Sequence, residues 1–130
     1  MQHSVEYSVV ENDIDELGHM NFLRYVSLYN ECRLQWLTTI NLDKSKRCGQ
    51  NLGLVVLNFE ITYLHEIRLG EKIKVTTELK RKGNKSFTVF QKIHSNEQLC
   101  SETTVILTLM DLAKRKAIEL PPEVRNIELD

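Results

Sequence analysis

Proline and glycine are scarce, with two of the former and five of the latter in 130 residues. That excludes a collagen-like or low-complexity chain. Cysteine is scarce too: Cys32, Cys48 and Cys100 are odd in number and form no Cys-x-x-Cys pair. Neither a disulfide framework nor a zinc site is expected, and the pattern reads as reduced thiols in a soluble cytoplasmic chain. Neither sign of charge dominates, because 17 Lys plus Arg oppose 18 Asp plus Glu, so the basic excess of a dedicated nucleic-acid binder is missing. The longest charge-free stretch, residues 48–59, includes Gln50, Asn51 and Asn58 and is too short and polar to cross a bilayer. Residues 1–15 have no Lys or Arg and no apolar block, unlike a secretory signal. What is present, 42% hydrophobic residues, suits one globular domain over residues 1–130, able to bury roughly 68% of the surface its unfolded chain exposes.

Apolar spacing orders the chain. Val5, Tyr7 and Val9 alternate with Ser4, Glu6 and Ser8, the period of a half-buried strand. From Phe22 the period changes, and Phe22, Tyr25, Val26, Tyr29, Cys32, Trp36, Leu37 and Ile40 fall on one helical face. Asn21 stands where an N-cap belongs. Residues 41–51 read as a polar connection with room for a short helical turn. Strands follow: Val55, Leu57, Phe59, Ile61 and Tyr63; then Ile73, Val75, Thr77 and Leu79; then Phe87, Val89 and Ile93, with turns at Gly83-Asn84 and Asn96-Glu97. Residues 103–110, apolar on both faces, read as a central covered strand, and Pro121-Pro122 as the end of regular structure. One long helix beside a run of strands predicts an α+β domain with an antiparallel sheet wrapped around a central helix. Such a single sheet leaves an edge unprotected, so a homodimer or homotetramer is expected.

The chemistry-bearing segment is residues 12–25, Asn-Asp-Ile-Asp-Glu-Leu-Gly-His-Met-Asn-Phe-Leu-Arg-Tyr. It sets Asp13, Asp15, Gly18, His19 and Asn21 immediately before the helix. A helix N-terminus offers free N–H groups and the positive end of a dipole, able to stabilise an oxyanion. A carboxylate beside it can act on the same carbonyl as base or nucleophile. The opening Asp13-x-Asp15-x-x-Gly18 also resembles a calcium loop, but Leu17 occupies the fifth position and Arg24 the twelfth, where a bidentate Glu is required. No metal and no other cofactor is expected.

This segment, Asp-x-Asp-x-x-Gly-His-x-Asn with a following Tyr25 and a helix that runs through Glu31-Cys32-Arg33, resembles the hotdog-fold acyl-CoA thioesterases of the 4-hydroxybenzoyl-CoA thioesterase type. Val55-Val56, Ile61-Thr62-Tyr63, Leu69-Gly70-Glu71 and Gly83-Asn84-Lys85-Ser86 add weaker matches. The resemblance implies a hotdog dimer with sheets joined edge to edge and acyl-CoA sites at the subunit interface. It implies Asp15 as the catalytic carboxylate and the backbone N–H near Phe22 as the carbonyl-polarising group, with His19 and Asn21 lining the same loop. Gly18, Tyr25 and Tyr29 are expected to meet substrate. Asp13 reads as a structural acid that holds the loop through backbone N–H groups. Two residues depart from the family pattern: Met20 replaces the usual Val without consequence, and Phe22 stands where many members have a second Asn or a His, which bears on substrate preference.

Residues 71–92 carry seven Lys or Arg against two Glu. Arg81, Lys82 and Lys85, with Ser86, are therefore candidates for gripping the CoA phosphates. A hotdog hydratase is the alternative enzyme, but its Asp-to-His spacing of five does not occur, since the acids before His19 stand three, four and six residues away. A non-catalytic acyl-thioester binding protein is the alternative outside enzymes.

Overall fold

The computed structural model describes residues 2–42 and 51–129. Strand β1 (Gln2–Ser8) leads through a short 3₁₀ turn, Glu11–Asp13, to helix α1 (Phe22–Thr39). Then come β2 (Leu52–Tyr63), β3 (Lys72–Lys82), β4 (Ser86–Ser95), β5 (Gln98–Asp111), the short β6 (Lys116–Ala117) and the one-turn α2 (Pro122–Arg125). The described strands form one antiparallel sheet in the order β1-β3-β4-β5-β2, with β6 against β5. This is the sheet-around-a-helix arrangement that the sequence implies. No helix among the described residues is long and apolar enough to cross a membrane.

Helix α1 begins where capping chemistry allows, because Asn21 Oδ1 accepts the Leu23 N–H at 2.8 Å. It lies over β3 and β1 and buries two successive clusters. The first half contributes Tyr25, Leu28, Tyr29 and Cys32 to a cluster with Ile73, Val75, Ile93 and Cys100. The second half contributes Trp36, Leu37 and Ile40 to one with Leu79, Phe87, Val89, Val105 and Leu107. Trp36 and Phe87, both fully buried, meet with ring centroids 6.4 Å apart. Each end of the helix therefore marks one end of the sheet, and this fixes where the candidate site residues can lie.

Three sequence expectations change, and one feature of the core is additional to them. Strand β2 starts earlier, at Leu52, and a bulge between Val56 and Asn58 shifts its phase. Leu54, Phe59 and Ile61 consequently face the core while Leu57 is exposed, because an extra residue in one strand reverses the alternation beyond it. Strand β5 buries only one face fully, the other being partly covered by the protomer itself. Pro122 opens α2, with Pro121 as its N-cap, since proline's fixed φ and missing N–H suit a first helical turn. Finally, the core holds polar groups: Arg33 is 6% exposed and donates to Gln91 Oε1 at 2.8 Å and to Asn30 Oδ1 at 3.1 Å, while Gln91 Nε2 donates to Thr77 and to the Tyr29 carbonyl. The asparagine-glutamate turn is as expected, with Asn96 and Glu97 both at positive φ. Of the polar connection at 41–51, residues 43–50, which include Cys48, lie outside the described residues.

Candidate active site

The motif segment folds into a small hairpin. Ile14 and Met20 bridge, Asp15 N–H donates to the His19 carbonyl at 3.0 Å, and Gly18 N–H donates to the Asp15 carbonyl at 3.1 Å. A three-residue loop of this kind needs a left-handed residue at its third position, which Gly18 supplies at φ 88°. Asp15 stands at the base of this loop, half-buried, its Oδ1 accepting the Leu17 N–H at 2.8 Å. His19 is also half-buried. Its Nδ1 lies 3.2 Å from the Met20 carbonyl, so the neutral ring carries its proton there and keeps a lone pair on Nε2.

Asn21 occupies the junction. Its N–H donates to the Asp13 carbonyl at 2.8 Å and its Oδ1 is engaged as the helix cap. The next N–H, that of Phe22, has no acceptor among the described residues, as expected for the first turn of a helix. The Phe22 carbonyl accepts the Tyr63 hydroxyl at 3.1 Å, and the Phe22 side chain is exposed. Tyr25 is buried and its ring meets Tyr63 edge to face, centroids 4.9 Å apart at 86°. Burial first, then the neighbouring Cys100 and Tyr63, pushes the Tyr25 phenol up to about 12, so it stays protonated.

Between these elements runs a groove of about 310 Å³, walled by His19, Met20, Phe22 and Tyr25 on one side and by Tyr63, Leu64, His65 and Glu66 on the other. The second wall carried no chemical signature in the sequence beyond a tyrosine-leucine pair at a strand end. The main chain seats it, through Met20 N–H to the Ile67 carbonyl at 2.7 Å and Leu64 N–H to the Cys100 carbonyl at 2.8 Å. A larger hollow of about 600 Å³, lined by charged residues such as Glu6, Lys74, Lys92 and His94, lies on the other face of the sheet. No motif residue lines it.

Asp13 is held as a structural acid, though by more than backbone. It is 5% exposed and accepts from Tyr7 Oη at 2.6 Å, from Val10 N–H at 2.9 Å and from Arg24 Nε at 2.9 Å. Burial alone would raise its carboxyl; the hydrogen bonds from Tyr7 and Val10 and the Arg24 charge outweigh it and hold the group below the usual carboxylate range.

Of the motif residues, His19, Met20, Phe22 and Tyr25 line this groove while Asp15, Gly18 and Asn21 border it without lining it, and two further groups of expected site residues lie apart from it. Tyr29 is fully buried, its hydroxyl donating to Ser101 Oγ at 2.8 Å, which leaves it no surface in the protomer. Arg81, Lys82, Lys85 and Ser86 sit at the β3–β4 hairpin, beside Phe87 and the C-terminal half of α1. The 18 residues of α1 separate them from the motif by about 27 Å at the helical rise. Lys82 has another partner besides: its Nζ donates to the Arg125 carbonyl at 2.8 Å and the Ile127 carbonyl at 2.5 Å, where it caps α2. Arg81 and Lys85 are exposed.

A family model for the thioesterase-like superfamily matches residues 9–127. The chain belongs to that superfamily. It is similar to the acyl-CoA thioesterase YbgC of Haemophilus influenzae, 27% identical over 118 residues that make up 90% of this chain and 87% of the relative. Among solved structures, a Staphylococcus aureus protein in complex with CoA shares the fold at a TM-score of 0.90 and 20% identity, over 97% of this chain and 80% of that one. A 1,4-dihydroxy-2-naphthoyl-CoA thioesterase from Synechocystis does so at 0.85 and 19%, over 97% and 94%. The hotdog architecture of the superfamily is thus the architecture of this chain.

Proposed function

We propose that this protein is an acyl-CoA thioesterase, hydrolysing an acyl-CoA to the free acid and CoA, with Asp15 as the reacting carboxylate and Phe22 N–H as the oxyanion donor. The observation that carries the reading is the Phe22 N–H at the start of α1, unengaged among the described residues, which follows directly on the hairpin whose base holds Asp15. Superfamily membership and the similarity to a protein named as an acyl-CoA thioesterase support the reaction class. A carboxylate at this place either takes a proton from a water that attacks the thioester carbon, or attacks that carbon itself. In both routes the C–S bond breaks and CoA leaves as the thiol after protonation, and in the second the resulting mixed anhydride is then hydrolysed by water to the free acid and the regenerated carboxylate. The carbonyl oxygen gains charge in both routes, and the N-terminal N–H and dipole of α1 stabilise it. Gly18 and His19 shape the loop, Asn21 holds the helix start in register, and Phe22 and Tyr25 wall the acyl end. Tyr29 backs Tyr25 from within.

The functional unit is a homodimer, or a homotetramer made of such dimers. Strand β2 pairs only β5 among the described residues and leaves Val56, Leu57, Tyr63 and Leu64 exposed, a long apolar edge that needs a cover. An antiparallel two-fold joining of two β2 edges would set the Leu52 end of one strand beside the Tyr63 end of the other. The basic hairpin of one subunit would then approach the groove of its partner, so that Arg81, Lys85 and Ser86 grip the CoA phosphates there. The reduced, buried Cys32 and Cys100 fit a cytoplasmic setting.

The test is hydrolysis of a panel of short, long and aromatic acyl-CoAs by the wild type. Turnover of one class is the expected result. Binding of acyl-CoA without release of CoA across the whole panel would replace this reading with a binding protein.

A further inference from the structure

Asp13 takes no part in the proposed chemistry, yet donors from four places in the chain converge on it. Tyr7 on β1 and the Val10 N–H bind Oδ2, Arg24 on the first turn of α1 binds Oδ1, and the Asn21 N–H binds the Asp13 carbonyl. The Arg24 guanidinium also lies 4.9 Å from the Tyr7 ring centre and donates to Ser27 Oγ at 2.8 Å, with Glu31 at 3.3 Å. Cation, ring and carboxylate are thus in mutual contact. The cluster has a consequence for the site, because among the described residues the Asp15 carboxylate accepts only one hydrogen bond, from Leu17 N–H. Where that carboxylate sits relative to Phe22 therefore depends on the backbone of the loop, and Asp13 is the residue that ties this backbone both to β1 and to the helix start.

We propose that Tyr7 and Arg24 are positioning residues for the hydrolysis: acting through Asp13, they set the separation between the Asp15 carboxylate and the Phe22 N–H. The proposal rests on the assignment of Asp15 and Phe22 made above. The Tyr7 hydroxyl and Arg24 Nε are both engaged by the buried Asp13 carboxylate, so each acts through Asp13 rather than on substrate. A reacting pair displaced by about 1 Å loses on the order of 10²-fold in rate, whereas ground-state binding by remote contacts is largely unaffected.

The experiment measures kcat, KM and the urea midpoint for Tyr7→Phe, Arg24→Gln, the double variant, Arg24→Lys and Glu31→Gln, with Asp15→Asn alongside. Tyr7→Phe keeps the ring over Arg24 and removes only the bond to Asp13, so it carries the test even if Arg24→Gln folds poorly. The expected result is a kcat lower by about ten- to a hundredfold for Tyr7→Phe and Arg24→Gln, with KM within about threefold. The double variant falls little further than the worse single one, because both act on one carboxylate. Arg24→Lys regains part of the loss, and Glu31→Gln behaves as wild type. Wild-type kcat in a folded Tyr7→Phe, losses that simply add, or losses that only follow the folded fraction would each overturn the proposal. Near-normal kcat in Asp15→Asn would instead remove the assignment beneath it, and so separates that failure from this one.

Discussion

At the residue scale, two carboxylates two positions apart have opposite environments. Among the described residues Asp13 is buried under three donors to its side chain, while Asp15 is half-buried with one, so of the two Asp15 is the more accessible and is the one proposed to react. Replacing Asp15 by Asn keeps its size and the bond from Leu17 but removes the base. Steady-state hydrolysis should show kcat lower by about 10²-fold to 10⁴-fold, the range for lost general-base assistance, and more if the carboxylate is the nucleophile. KM should change little. Asp13 makes a different prediction. Its carboxyl is held below the usual range in the folded state, so the charged form stabilises the fold above the ordinary carboxylate value near 3.9 and that contribution is lost as pH falls through the lower folded value. Urea midpoints should therefore show Asp13→Asn clearly weaker than wild type near pH 7, with the gap closing towards about pH 3. A gap independent of pH would mean that the charge of Asp13 is not what matters.

At the scale of elements, the helix start is both a structural joint and the proposed oxyanion site, and substitutions at Asn21 separate the two. Asn21→Ala removes the acceptor for Leu23 N–H and should cost about 1 kcal/mol of stability. Asn21→Asp keeps the cap, and a negative charge favours the helix dipole, so stability should hold. Activity should nevertheless fall, because a carboxylate beside the Phe22 N–H opposes the charge that develops on the thioester oxygen. Denaturation and hydrolysis of the two variants, measured together, give the comparison. The hairpin loop behaves differently: a methyl at Gly18 would meet nothing within 4 Å, but its φ of 88° strains any other residue by about 1 kcal/mol. Gly18→Ala should accordingly lower the midpoint slightly and shift the loop that carries Asp15.

At the scale of the whole molecule, the basic hairpin and the groove lie at opposite ends of α1, so a common function requires two chains. Light scattering in dilute solution should give a dimer or tetramer, and an active monomer would contradict the shared site. The role of the hairpin is tested without Lys82, whose ammonium caps α2 and whose loss would weaken the fold. Arg81→Glu with Lys85→Glu should raise KM for acyl-CoA well above its effect on a thioester lacking the nucleotide. Added salt should weaken wild-type binding in the same direction, by screening exposed charges. Equal KM changes for the two substrates would reduce the hairpin to a solvated strand end.

The amino-acid sequence by itself determined the elements and the motif. Helical spacing from Phe22 to Ile40, alternation in the strands and the turn residues at Asn96-Glu97 are local properties, and local sterics and solvent exposure decide them. Asp15, Gly18, His19 and Asn21 were legible for the same reason, since one short segment carries them all. Only the tertiary structure decided what meets that segment. Tyr7 and Arg24 converge on Asp13 through packing of β1 against α1, and Tyr63 to Glu66 form the second groove wall through strand pairing, neither of which leaves a periodic trace. The bulge at Val56/Asn58 reversed the facing of β2, and Arg33 entered the core because Gln91 and Asn30 accept its donors. Charge and polarity along a chain report what a residue can do. Which partner satisfies it depends on contacts between residues distant in sequence, and these exist only once the sheet has closed around the helix.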